Sequence, residues 1–149
     1  MIKDATQVVS SIKTGAVIKN KKRVINKILP TQWVRQGDVY VINVNDLTSI
    51  KVFKDTVEVN LKSYTKEEEV GIDGYQLVPG ITSGSRHIVE SGVDVFTNPT
   101  NNSSLVGCLV KSNKAFNIRH PEHDHFEMPA GEYLICYQLN VLTKKRVRD

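Results

Sequence analysis

The hydrophobic and polar positions along the chain form short apolar runs broken by turn residues, with period-two alternation in places, and this pattern predicts strands. Val57, Val59 and Leu61 alternate with Glu58, Asn60 and Lys62, which places one side of an extended segment on a core and the other in water. Val39 to Val44 is a β-branched run opened by a Gly37-Asp38 turn. Tyr75 to Val78, His87 to Glu90 and Val93 to Phe96 are three further short strands, separated by Pro79-Gly80, Ser83-Gly84-Ser85 and Ser91-Gly92. Leu105 to Lys111 and Ala115 to Arg119 read as two strands joined by Ser112-Asn113-Lys114, after an exposed polar loop from Asn98 to Ser104. Pro129-Ala130-Gly131 suits a tight turn into a last strand, Tyr133 to Leu139. Many short strands with frequent turn signals predict an all-β domain, a compact small barrel or sandwich. Tyr40, Ile42, Val44, Leu105, Leu109, Leu134 and Cys136 are its core candidates.

The first thirty residues read differently. Asp4 can cap a short helix carrying Val8, Val9 and Ile12 and stopped by Gly15. Val24, Ile25, Ile28 and Leu29 fit a second short helix ended by Pro30, and they fit a strand nearly as well. The expected division is therefore a short helical or irregular basic N-terminal arm, residues 1–32, and a β domain, residues 33–149, with a basic C-terminal tail. Because Val8, Ile12, Ile25 and Ile28 need an apolar surface, the arm is expected to pack on another subunit or a partner.

Composition narrows the class. A protein of 149 residues with 40% hydrophobic content fits one soluble globular domain. It has no apolar run near the twenty residues of a membrane span and no signal-peptide core after Met1-Ile2-Lys3-Asp4. Hence no membrane and no signal-directed secretion is expected. Cys108 and Cys136 sit in apolar segments and read as reduced core thiols. The net charge of +4 is gathered in Lys19, Lys21, Lys22, Arg23 and Lys27 and in Lys144, Lys145, Arg146 and Arg148. Such ends can attract nucleic acid or an acidic protein surface, or serve only as solvated termini.

The chemistry-bearing residues fall into two stretches. Arg119 to Tyr133 (R-H-P-E-H-D-H-F-E-M-P-A-G-E-Y) holds His120, His123 and His125, and Gly80 to Glu90 (G-I-T-S-G-S-R-H-I-V-E) holds His87. Imidazoles bind zinc when several reach one ion. His123 and His125 share a side of an extended segment, His120 joins them if Pro121 bends it, and His87 can complete the set. Glu122, Asp124 and Glu127 are candidate further ligands or partners that fix a tautomer. None of the spacings is a known zinc signature, and the plain alternative is hydrogen-bonded loop and strand histidines. A third reading uses Arg86, His87 and His120 with the Gly80 to Ser85 loop to hold an anion or nucleotide, although that loop matches no phosphate-loop pattern. Ser83 or Ser85 with His87 lacks the strand-turn-helix setting of a hydrolase.

Gln36-Gly37-Asp38-Val39 opening a strand, a Gly-x-x-x-Gly segment with His87, then H-P-E-H, M-P-A-G-E-Y and Gln138 together resemble a family of small uncharacterised proteins of bacteriophages and mobile elements, over about Trp33 to Asp149. That family commonly reads G-E-V-T-G-H-x-H in the middle and T-H-x-E-H-x-P-I-x-L-P-x-G-x-Y later. His87, His120 and His123 match its histidines, and Pro129, Gly131 and Tyr133 its turn. Ser85 stands where the family has the first histidine of the pair, while His125 and Phe126 stand where it has a small residue or proline. The resemblance implies a phage or prophage origin, and the Lys/Asn/Ile-rich text agrees with an AT-rich genome. From it follow the expected setting, host cytoplasm or virion, and the expected partners, other copies of the same protein or viral or host proteins. Two functions stay open: a non-enzymatic virion decoration or partner-binding domain, or a metal- or nucleotide-binding protein or enzyme using His87, His120, His123 and His125, with zinc as the candidate cofactor.

Overall fold

The structure, a computed structural model, describes residues 22–67, 70–77, 87–98, 103–120, 124–140 and 145–146. Its strands are β1 (Lys22–Val24), β2 (Trp33–Gln36), β3 (Val39–Asn43), β4 (Ser49–Val52), β5 (Val57–Asn60), β6 (Thr65–Lys66), β7 (Tyr75–Gln76) and β8 (Ile88–Val89). They continue with β9 (Asp94–Thr97), β10 (Val106–Ser112), β11 (Phe116–Arg119), β12 (His125–Met128), β13 (Gly131–Tyr137), β14 (Leu139–Asn140) and β15 (Lys145–Arg146). One 3-10 turn, Leu61–Ser63, follows β5, and no α-helix occurs among the described residues.

The strands form a sandwich rather than a closed barrel. A six-stranded sheet in the order β2-β3-β13-β10-β9-β6 faces a five-stranded sheet in the order β1-β12-β11-β8-β7. Two residues join β2 to β3, and Gly37, with φ 57°, supplies the positive backbone angle that such tight hairpins need.

Strand alternation explains the layers. Along β13, Tyr133, Ile135 and Tyr137 enter the core between the sheets, where they meet Phe116, Ile118 and Phe126. Leu134 and Cys136 point the other way, into a second apolar cluster with Ile42, Val44, Ile50, Val52 and Val59. The β4–β5 hairpin thus covers the outer face of the six-stranded sheet, and all of Tyr133 to Tyr137 is buried. A strand covered on both sides reads as a continuous apolar run. Of the core candidates, Ile42, Val44, Leu109, Leu134 and Cys136 are buried, while Tyr40 and Leu105 are half-buried.

Several expectations change. Residues 22–32 belong to the sandwich and not to a separate arm: β1 pairs in parallel with β12, and Ile25 N–H donates to Glu127 C=O at 2.9 Å. Ile25, 2% exposed, and Ile28 find their apolar surface in the protein's own core. Asn43 ties this segment down through its Nδ2, which donates to Ile28 C=O at 2.7 Å. The short-helix reading of Val24 to Leu29 gives way to strand and extended backbone, because the parallel partner β12 supplies hydrogen bonds that a helix would have to make internally. Residues 1–21, with the helix expected after Asp4, lie outside the described residues. Strands β2, β4, β6, β12 and β15 add to those expected, and in β4 and β12 the sequences S-I-K-V and H-F-E-M alternate exposed or half-buried with buried residues.

The β4–β5 turn carries strain. Phe53, Lys54 and Asp55 have φ of 55°, 55° and 64°, a left-handed run that costs L-residues roughly 1–2 kcal/mol each. Thr56 closes it with its N–H and Oγ1 both donating to Phe53 C=O, at 3.2 and 2.6 Å. We expect Lys54→Gly to raise unfolding stability by about 1 kcal/mol in urea melts. Ile25→Ala, by contrast, should lower it by about 2–4 kcal/mol in the same melts, the cost of a core cavity. No measurable loss would return residues 22–32 to an arm.

Candidate functional site

The candidate site grows out of the β2–β3 hairpin. Alternation along β2 sends Val34 and Gln36 inward and Trp33 and Arg35 outward, so a glutamine sits at a core-facing position. Asp38 is the second residue of the hairpin turn, and its C=O accepts from Gln138 N–H at 2.9 Å. From the other sheet come His87, immediately before β8, and His120, immediately after β11. Gln36 (2% exposed), Asp38 (0%), His87 (0%) and His120 (1%) are all enclosed.

Hydrogen bonding orients this group. Gln36 Nε2 donates to Ile118 C=O at 3.1 Å and to Asp124 C=O at 2.8 Å, so a single amide clasps both ends of the β11–β12 connection. Its Oε1 is therefore turned to His87, whose Nδ1 donates across 2.7 Å. The other ring nitrogen, Nε2, lies 3.1 Å from Asp38 Oδ1. With a proton on Nδ1 alone, a lone pair would face a carboxylate oxygen there. A proton between His87 Nε2 and Asp38 Oδ1, whichever of the two carries it, removes the conflict and makes the contact a hydrogen bond. The His120 ring lies 4.4 Å from that of His87, centroid to centroid, tilted by 53°.

His125 is placed differently. It opens β12, and its Nε2 bonds to the backbone carbonyl of His120 at 3.2 Å. Beside it, the Arg23 guanidinium pairs with the Asp124 carboxylate and joins β1 to the segment that Gln36 also holds. His123, with Pro121 and Glu122, lies outside the described residues, as do the Gly80 to Ser85 loop and Arg86. Of the four expected histidines, the structure brings His87 and His120 together and sets His125 against the backbone of His120.

Among the described residues, no three His, Cys, Asp or Glu side chains are grouped so as to hold a metal ion. Both ring nitrogens of His87 have partners, so a metal at that ring would have to displace Gln36 or Asp38. The cysteines offer no alternative. Cys108 lies in the core between the sheets and Cys136 in the outer cluster, so the two free thiols are on opposite faces of one sheet. Burial pushes Cys108 up to about 12 and raises Cys136 further, which leaves both as thiols at neutral pH.

Sequence reasoning singles out His87 and His120 but assigns no role to Gln36 and Asp38. The available signal is a glutamine two residues after Val34, at the position of the strand that alternation points inward, followed closely by a turn aspartate.

These features define a β-sandwich protein with an enclosed Gln–Asp–His–His clasp between its sheets. A family model described as a domain of unknown function, DUF8820, matches residues 35–138, and the protein belongs to that family. No curated protein and no solved structure matches it.

Loss of His87 would deprive a buried carboxylate and a buried amide oxygen of these contacts. We expect His87→Ala to lower stability by about 3 kcal/mol, in keeping with stripping two buried polar groups of a hydrogen-bond partner. Chemical denaturation checks this, and a loss below about 1 kcal/mol would show that these contacts are not carrying the fold.

Proposed function

We propose that the protein is a non-enzymatic binding domain of the kind carried by bacteriophages and mobile elements, working as a virion component or as a partner-binding β domain. The observation that supports it is the enclosure of the clasp: Gln36, Asp38, His87 and His120 are all at most 2% exposed, and the bonds of Gln36 and His87 run within the clasp and to the backbone of the opposite sheet. Side chains so enclosed tie two sheets together, a structural task, and leave the outer surfaces for recognition. The sequence resemblance to phage and mobile-element proteins supports the setting, host cytoplasm or particle. Lys22 and Arg23 are engaged with Glu127 and Asp124, which takes part of the basic N-terminal segment away from a nucleic-acid role.

The alternative is a zinc- or nucleotide-dependent role for His87, His120, His123 and His125, favoured by the approach of the His87 and His120 rings to 4.4 Å. Two measurements separate the readings. Under the binding-domain reading, calorimetric titration with zinc at neutral pH gives no uptake, and mass spectrometry of purified particles from a culture carrying the element finds the protein at fixed stoichiometry. Zinc uptake that His120→Ala abolishes would overturn it in favour of the metal site.

A further inference from the structure

One edge of the six-stranded sheet brings together an unpaired strand side, an aromatic pair and a guanidinium. β2 is its terminal strand, and among the described residues only β3 pairs with it. Asn43 N–H donates to Gln32 C=O at 2.8 Å, which makes residues 32 and 43 a hydrogen-bonded pair. Such pairs alternate along an antiparallel ladder, so Val34 and Gln36 direct their backbone groups at β3. Trp33 and Arg35 therefore direct their N–H and C=O groups away from the sheet, along its open side.

The same two residues carry the outward side chains. The Trp33 ring meets the Tyr40 ring edge-on at 5.0 Å and 87°, and both rings are half-buried. Arg35 is exposed yet held: its Nε donates to Gly37 C=O at 2.7 Å, its Nη2 to Gln138 Oε1, and its guanidinium lies 5.6 Å from the Tyr40 ring centroid. All three contacts are to neutral groups. No carboxylate among the described residues lies within ion-pair distance of Arg35, as is also true of Lys27, Lys51, Lys54, Lys62, Lys114 and Arg119; what sets Arg35 apart is that three contacts hold its guanidinium in place. Among the described residues, a fixed guanidinium without a counter-charge, beside a Trp–Tyr pair and a row of unused backbone groups, has the composition of a binding hot spot.

We propose that the open edge of β2 docks an extended acidic segment of a partner polypeptide, which adds as a strand beside Trp33–Gln36 and sets a carboxylate on Arg35. This rests on the binding-domain reading and supplies its surface. Strand addition uses backbone bonds for affinity and alternate side chains for selection. The residue two positions from the carboxylate falls on the same face and covers Trp33, so an apolar side chain suits it. Charge chooses the occupant: two copies of β2 would bring two Arg35 cations to one edge, while an acidic strand neutralises one.

Trp33 is the protein's single tryptophan, so its emission reports the edge alone. The probe is a blocked seven-residue peptide with glutamate and isoleucine two positions apart among threonines, made in both orders and added to the full-length protein. The expected result is a saturable change in Trp33 emission, with the Trp33 and Arg35 amide resonances shifting and gaining exchange protection. Replacing the peptide's glutamate by lysine, methylating its outward-pairing backbone nitrogens, or making Arg35→Glu in the protein should each weaken binding at least about tenfold. The peptide variants leave the protein untouched, so misfolding cannot imitate their effect. Equal binding by the lysine or the methylated peptide overturns the proposal, as does a dimer that Arg35→Glu dissolves, which would make a second copy the occupant. Particle or partner association that survives Arg35→Glu discards the edge alone, whereas zinc uptake at the histidines discards the binding-domain reading itself.

Discussion

The sandwich depends on the Gln36 amide. It is a polar group at an inward position of β2, and its two hydrogens go to Ile118 C=O and Asp124 C=O on the facing sheet. Apolar packing between sheets is non-directional and tolerates sliding, whereas a bidentate amide fixes one alignment. Once Gln36 is placed, its oxygen fixes the His87 ring, and the ring fixes where the Asp38 carboxylate must be. Around this clasp the core closes with Val34, Val39, Ile118 and Phe126.

The clasp also gathers the protein's distant parts. Leu77 N–H donates to His87 C=O at 2.7 Å, and Tyr137 Oη donates to Leu77 C=O at 2.9 Å, so β7 and β13 are held to the same point. Gly74, which precedes β7 at φ 91°, allows the close approach, since a Cβ there would stand 2.3 Å from the Val89 carbonyl oxygen. On the other side Arg23 and Ile25 bring β1 to the β12 strand that follows Asp124. His87 and His125, which suggest chemistry in a linear reading, are hydrogen-bonded here to Gln36 and Asp38 and to the His120 carbonyl.

That division agrees with the layers. The six-stranded sheet is covered on one face by its partner sheet and on the other by the β4–β5 hairpin, so among the described residues what remains open is its two edges, β2 and β6. Exposed edges invite unwanted pairing, and charge is one common means of restraining it. Under the proposed docking, Arg35 would act as that restraint against another basic edge and as an attraction for an acidic one.

How much was legible follows from the range of each signal. Alternation at Val57 to Leu61, β-branched and apolar runs at Val39 to Val44, Leu105 to Lys111 and Tyr133 to Leu139, and the turn residues between them are all local signals, so these strands could be read directly, and with them the all-β class. The burial of the cysteines followed from the apolar runs that hold them. The status of residues 22–32 could not be read this way, because the fit of Ile25 and Ile28 is to β12 and its surroundings, about a hundred residues further along. The histidine pair was half legible: the sequence showed two segments rich in imidazole, and tertiary structure alone set His87 between Gln36 and Asp38 and turned His125 to a carbonyl. A residue's neighbours across a sandwich depend on register and layer order, which are long-range quantities. Local pattern therefore determined which residues form strands, and the pairing of those strands decided which polar residues hold the core and which are left at an edge.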